Sequence, residues 1–212
     1  MSNKVLLITL CFLHLQVKAQ ETPTKPLKHE FGINTTLLIK QVLSFNANNI
    51  PFSPYFLTYK YALNNNTNLR AGAGIIVQKA STTENDIDKR YSKSYNMDYR
   101  LGIEKQNMLS DRWKVYYGLD FTYTYNEILA ESAFNSFNNQ VKGFGAGPVA
   151  GIQFYLNKRL SLFAEASLYY SDINDRTTNT SNSPFGQNST THSNILRGEI
   201  KLPTTLYLAF KL

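Results

Sequence analysis

The tripeptide His192-Ser193-Asn194 gathers an imidazole, a hydroxyl and an amide, the residue types of a base, a nucleophile and an orienting group. Neighbouring residues of an extended chain point to opposite faces, so His192 and Ser193 are badly placed to meet as base and nucleophile. His14 lies near the N-terminus, and His29 belongs at the opposite end of the extended segments from His192, which leaves no two-histidine metal site. Cys11 is the single cysteine, so no disulfide or cysteine-based metal or redox site is expected. GxGxxG, phosphate-loop and acidic calcium-loop patterns are absent, and Asn-x-Ser/Thr matches such as Asn188-Ser189-Thr190 are expected by chance in so Asn-rich a chain. No catalytic, cofactor-binding or metal residues are assigned, and an enzyme is not expected.

The charged residues offer a different chemistry, because of where an extended chain would put them. Residues 113–125 read WKVYYGLDFTYTY, with Trp113, Val115, Tyr117, Leu119, Phe121, Tyr123 and Tyr125 on one parity and Lys114 and Asp120 on the other. Eight such segments recur, at roughly 30–43, 54–63, 69–78, 95–105, 113–126, 143–156, 160–171 and 195–212. With the apolar parity chosen in each, that face carries no charge apart from Lys105, at the turn end of the fourth segment. The opposite parity holds Glu30, Lys40, Lys60, Arg70, Asp98, Arg100, Glu104, Lys114, Asp120, Glu165, Arg197, Glu199, Lys201 and Lys211. The stretch EILAESAFNSF (127–137) is the one candidate for a short helix and is read as loop.

Connections alternate in length. NNNT (64–67), NMLSDR (107–112) and NKR (157–159) are short, whereas 44–53, 80–93, 127–141 and 173–193 are long. In an up-and-down sheet every second connection shares an end, so the tight turns fall at one rim and the long loops at the other. Size decides which parity faces inward. Eight strands leave an interior only just wide enough for side chains, while the uncharged parity includes Trp113 and many other aromatics. The other parity supplies Gly72, Gly74, Gly102, Gly118, Gly147 and Gly151 with polar and charged residues, so small and polar side chains are expected inside and bulky ones outside. The fold class is therefore all-β, an eight-stranded antiparallel up-and-down transmembrane β-barrel. A Lys or Arg facing the bilayer midplane costs about 2–4 kcal/mol, which accounts for the uncharged parity. Pro148 and Pro203 each remove a ladder donor, predicting a bulge or broken ladder, or for Pro203 a final strand starting near Thr204.

The chain suits one domain, with a secretory signal peptide at 1–19, a short lead at 20–29 and the barrel at 30–212. Its net charge is +7, or +5 once Lys4 and Lys18 are set aside. In an exported protein that balance points to polyanionic lipid headgroups or to an ordinary solvated surface, and nucleic acid is not expected as a partner.

The glycine-rich strand GFGAGPVAGIQFYL (143–156), the NNNT and NKR turns and the terminal LYLAFKL strand resemble the small outer-membrane barrels of the OmpA/OmpX type, also grouped as "porin family" proteins. The resemblance is one of pattern and spans nearly the whole chain past the signal peptide. It implies localisation in the outer membrane of a double-membraned bacterium, after secretion through the inner membrane, with both termini on the periplasmic side. It also implies recognition of Leu206, Leu208, Phe210 and Leu212 by the barrel assembly machinery, although Leu212 stands where an aromatic is commoner.

The expected role is structural or surface-interacting, through the external loops. The lumen is expected to be plugged by a polar network of Asp98, Arg100, Glu104, Asp120, Glu165, Arg197, Glu199 and Lys201. Trp113, Tyr123, Tyr125 and Tyr170 are candidates for the aromatic girdles. Lys79, Lys89, Arg90 and Lys93 are candidates for lipopolysaccharide phosphate contact, or else form a solvated loop. The partners are outer-membrane lipids, and a monomer is expected. A small passive channel is the alternative function. A soluble lipocalin-like carrier is the second alternative, although EFGINTTLL lacks the GxW-type signature of its first strand.

Overall fold

The structure, a computed structural model, describes residues 27–36, 55–84, 88–132, 135–181, 187–203 and 205–212. The signal peptide at 1–19, and Leu37, Ile39 and Lys40 of the first extended segment, lie outside the described residues. Nine strands form: β1 (His29–Asn34), β2 (Leu57–Ala62), β3 (Thr67–Glu84), β4 (Asp88–Met108), β5 (Trp113–Glu131), β6 (Asn135–Tyr155), β7 (Leu160–Ser181), β8 (Ser189–Lys201) and β9 (Leu206–Lys211). All pair antiparallel with their neighbours. The pairing of β1 with β9, and of β7 with both β6 and β9, closes the sheet into a ring.

The ninth strand arises because the last of the eight expected segments divides at Pro203. On the β7 side Ala164 faces Leu206 and Ser167 faces Lys201, so two β7 residues oppose the four residues 202–205. The extra two bulge out where proline has no N–H to donate. The barrel thus has eight staves, the last split into β8 and β9. Pro148 causes no such shift. It sits outward opposite Leu119, and the β6–β7 ladder skips residues 147–148, resuming in the same register from Ala146↔Tyr170 to Val149↔Ser167.

The long connections correct the sequence reading. Most of 80–93, 127–141 and 173–193 continues the strands, so β4 to β7 run for 19–22 residues each. Within EILAESAFNSF, residues 127–131 end β5 and 135–137 begin β6, so these are strand and neither helix nor loop. These stretches are rich in Ser, Thr and Asn on both faces. With no one-sided burial they show no apolar alternation, yet their ladder hydrogen bonds still form. At the opposite rim side-chain oxygens lock the tight turns. Asn64 Oδ1 accepts from Asn66 N at 2.9 Å, Ser110 Oγ from Trp113 N at 3.2 Å, and Asn157 Oδ1 from Leu160 N at 2.7 Å.

The outer surface has a level boundary. Moving from the tight turns toward the hairpin tips, and past Lys105 at the tight-turn end of β4, the first charge on the outward parity is Lys79 on β3, Lys93 on β4, Glu127 on β5, Lys142 on β6 and Asp172 on β7. Lys79 and Lys93 are direct partners, whereas Glu127 lies opposite Tyr95, Lys142 opposite Tyr125, and Asp172 opposite Phe144. Each of these last three steps drops the boundary by two residues toward the tight turns. Two residues at each of three steps make a descent of about 20 Å along strands rising about 3.3 Å per residue, across four inter-strand gaps of about 4.8 Å. The slope is about 45°, close to the roughly 35–45° tilt of barrel strands. The boundary therefore runs perpendicular to the barrel axis. Below it the outward faces are apolar as far as Lys105 near the tight turns, with Leu101 67%, Phe121 71% and Phe144 68% exposed.

Candidate functional site

The barrel interior holds the densest chemistry among the described residues. Strands β2 to β5 and β7 each aim at least one charged side chain at its centre: Lys60, Arg70, Arg100, Glu104, Asp120 and Glu165. Arg70, 2% exposed, reaches three carboxylates, at 3.2 Å to Glu104, 3.2 Å to Asp120 and 2.7 Å to Glu165. Arg100 pairs with Glu165 and approaches Asp120 at 3.7 Å, and Lys60 pairs with Glu104 at 3.0 Å. Three cations and three carboxylates balance, as groups removed from water must.

Aromatic rings pack around this network. Tyr116 donates its hydroxyl to Glu165 at 3.2 Å and Tyr169 to Asp120 at 2.8 Å. Lys60 Nζ lies 3.7 Å from the Tyr116 ring centroid, Arg100 lies 4.3 Å from that of Tyr55, and Phe163 stacks on Tyr207 at 4.7 Å. These rings correct the expectation that bulky side chains all go outside. Tyr55 shares the apolar parity of Leu57, Tyr59 and Tyr61, which directs it outward. It lies before β2 begins at Leu57 and is buried, its carbonyl accepting from the Tyr207 hydroxyl at 3.2 Å and from Asn34 Nδ2 at 3.3 Å.

Glycines make room for the large inward groups. Across the ladders Gly72 faces Arg100, Gly102 faces Asp120 and Gly118 faces Glu104. A Cβ on Gly118 would press on the Ile103 carbonyl and come within 2.8 Å of Glu104 Cα, whereas one on Gly143 would meet nothing closer than 3.5 Å. Gly118→Ala is expected to cost about 1–3 kcal/mol in urea unfolding and Gly143→Ala less than about 0.5 kcal/mol. Equal effects would mean that the wall can yield at Gly118.

Of the eight residues expected in the network, the structure brings together Arg100, Glu104, Asp120 and Glu165. Asp98 stands apart, accepting from Thr124 Oγ1 at 2.8 Å. Arg197, Glu199 and Lys201 do not join. Arg197 lies opposite Ser171, six residues along β7 from Glu165 or about 20 Å, and Lys201 approaches the exposed Glu199 at 3.9 Å. The two-residue bulge at Pro203 and the tilt of the staves displace them, since residues on one rung of a tilted barrel are not at one height. Lys60 and Arg70, sent inward by parity but left out of the network expected from sequence, are members. The signal for Arg70 was its rung, on which it sits between Lys60 and Gly102.

His192 and Ser193 lie on exposed β8, opposite Arg176 and Asp175. Trp113 is exposed at the tight-turn end and packs on Phe154 at 4.8 Å, Tyr123 meets Phe144 at 4.8 Å, Tyr125 is half-buried beside Lys142, and Tyr170 is exposed. In the candidate phosphate-contact group Lys79 and Lys93 sit directly opposite one another and Arg90 opposite Thr82, while the Lys89 side chain lies outside the described residues.

No protein-family model matches the chain, and no curated protein matches it. Among solved structures, the crystal structure of Acinetobacter baumannii CarO is similar at a TM-score of 0.42 and 12% identity, covering 91% of this chain and 100% of that one. The crystal structure of Acinetobacter baumannii CarO2 gives a TM-score of 0.38 and 13% identity, covering 90% of this chain and all of that one. Neither likeness assigns the chain to a family.

Proposed function

We propose that the protein is an integral outer-membrane β-barrel of the OmpA/OmpX kind, closed to flow by its interior ion-pair network and presenting its long hairpins beyond the membrane. The level boundary from Lys79 to Asp172 carries this reading, because a flat bilayer imposes a flat limit on charge whereas a solvated surface imposes none. On β5 the apolar parity spans Trp113 to Tyr125, thirteen residues that rise about 33 Å at a tilt of about 40°, enough for the hydrocarbon band and its interfaces. The remainder of the strand then projects outward. A lipocalin-like carrier would turn Leu101, Phe121 and Phe144 inward, opposite to their exposure. On this reading the apolar band meets outer-membrane lipid and lipopolysaccharide, and the alternating β9 strand suits handling by the assembly machinery. The hairpins serve a structural or surface-interaction role, and the barrel acts as a monomer.

The closed interior separates this function from that of a passive channel. Refolded protein in a planar bilayer is expected to give no steady single-channel current, with the folded state verified as a band that shifts on heating. Reproducible conductance steps from the folded species would refute the closed interior and favour the channel.

A further inference from the structure

Ion pairing inside the barrel does not balance at the tight-turn end. Lys60, Arg70 and Arg100 match Glu104, Asp120 and Glu165. One layer nearer that rim, Lys211 Nζ lies 3.9 Å from Glu30, whose Oε2 also accepts from Gln153 Nε2 at 3.1 Å. That leaves Lys114. It is 1% exposed, and its ammonium donates to the neutral Gln106 Oε1 at 2.9 Å. No ion pair joins it to a carboxylate among the described residues. A buried ammonium without a counter-charge is costly unless water or an anion compensates it.

Lys114 borders a place for that compensation. A cavity of about 360 Å³ at the tight-turn rim is lined by Lys60, Lys114, Lys211 and Glu30, with the amides of Asn64, Asn65 and Gln106 beside them. Lys28 and His29 stand at its edge, so Glu30 is the one carboxylate among several cations there. Amide side chains are neutral donors suited to oxygen, and lysine ammonium groups bind oxyanions as point charges.

We propose that this vestibule is a binding site for a small oxyanion, a phosphate or a carboxylate, held by Lys114 and Lys211 with amide donors around it. The site goes beyond the membrane reading and does not depend on it, since it stands on interior geometry alone. The balanced network above it lets the anion enter and not pass.

Isothermal titration of refolded, detergent-solubilised protein tests the site, using inorganic phosphate and succinate in separate arms and chloride at equal ionic strength as control. Saturable binding of phosphate, succinate or both is expected, with chloride at least tenfold weaker, and the stronger arm identifies the source. Lys114→Gln is expected to weaken binding at least tenfold and Lys211→Gln at least threefold, while Lys142→Gln at the far boundary leaves it unchanged. The heat-shifted gel band confirms that each variant folds, and Lys211→Gln retains the test if Lys114→Gln does not. Absence of saturable binding, chloride binding as tight as the oxyanions, or a folded Lys114→Gln that binds like the parent would each overturn the proposal.

Discussion

Arg70→Gln is expected to lower the unfolding free energy by about 3–5 kcal/mol, the largest loss of any single charge removal in the barrel. Arg70 is the one cation in ion-pair contact with all three central carboxylates, Glu104, Asp120 and Glu165. Glutamine leaves those carboxylates with Lys60 and Arg100 alone, each carboxylate at most 8% exposed. The cost is thus that of uncompensated buried charge, far above the net worth of one exposed ion pair. Arg197, which parity alone would place in the same network, lies on exposed β8. Arg197→Gln should change stability by less than about 0.5 kcal/mol. Urea unfolding of both variants in lipid vesicles, read by tryptophan fluorescence from Trp113, checks the contrast. Similar effects at the two sites would mean that the ion pairs around Arg70 do not hold the interior.

Leu119→Arg carries the second large effect, and its dependence on the surroundings is informative. Leu119 is 57% exposed and sits midway between Trp113 and Tyr125 on the outward face of β5. In water an exposed leucine replaced by arginine is close to neutral. At a bilayer midplane the same change costs about 2–4 kcal/mol. The loss should shrink toward the membrane boundary, so that Tyr125→Arg costs no more than about 1 kcal/mol. Unfolding in vesicles of defined lipid measures both variants. A neutral Leu119→Arg would place that face in water.

The features that the sequence makes legible share one physical cause, one-sided contact with an apolar medium. On β5 the alternation from Trp113 to Tyr125 gives the strand, its outward face and the inward direction of Lys114 and Asp120. Beyond Tyr125 nothing demands apolar residues on either face, so the strand continues to Glu131 through a stretch whose pattern is that of a loop. The central network was half legible for a related reason. Parity states which way a side chain points and is silent about its height. Height depends on register and tilt, and for Arg197, Glu199 and Lys201 also on the bulge at Pro203. Arg70 was placed inward correctly, yet its reach across the barrel to Glu165 follows only from closure of the ring. The interior aromatics Tyr116, Phe163, Tyr169 and Tyr207 lie on the polar parity, where each hydroxyl or ring finds an ionic or stacked partner that no local pattern announces.

Spin-label accessibility along β5 in lipid vesicles tests the central claim, that the uncharged parity meets lipid and the charged parity a closed interior. Cys11 is the only cysteine and lies in the segment read as signal peptide, so single cysteines can be introduced at Tyr117, Leu119, Phe121, Thr122 and Thr124 without a background thiol. Labels at 117, 119 and 121 are predicted to collide readily with dissolved oxygen and hardly at all with a water-soluble nickel chelate, while labels at 122 and 124 are shielded from both. Nickel collisions at 117, 119 and 121 as frequent as at the projecting hairpin residue Glu131 would contradict the account.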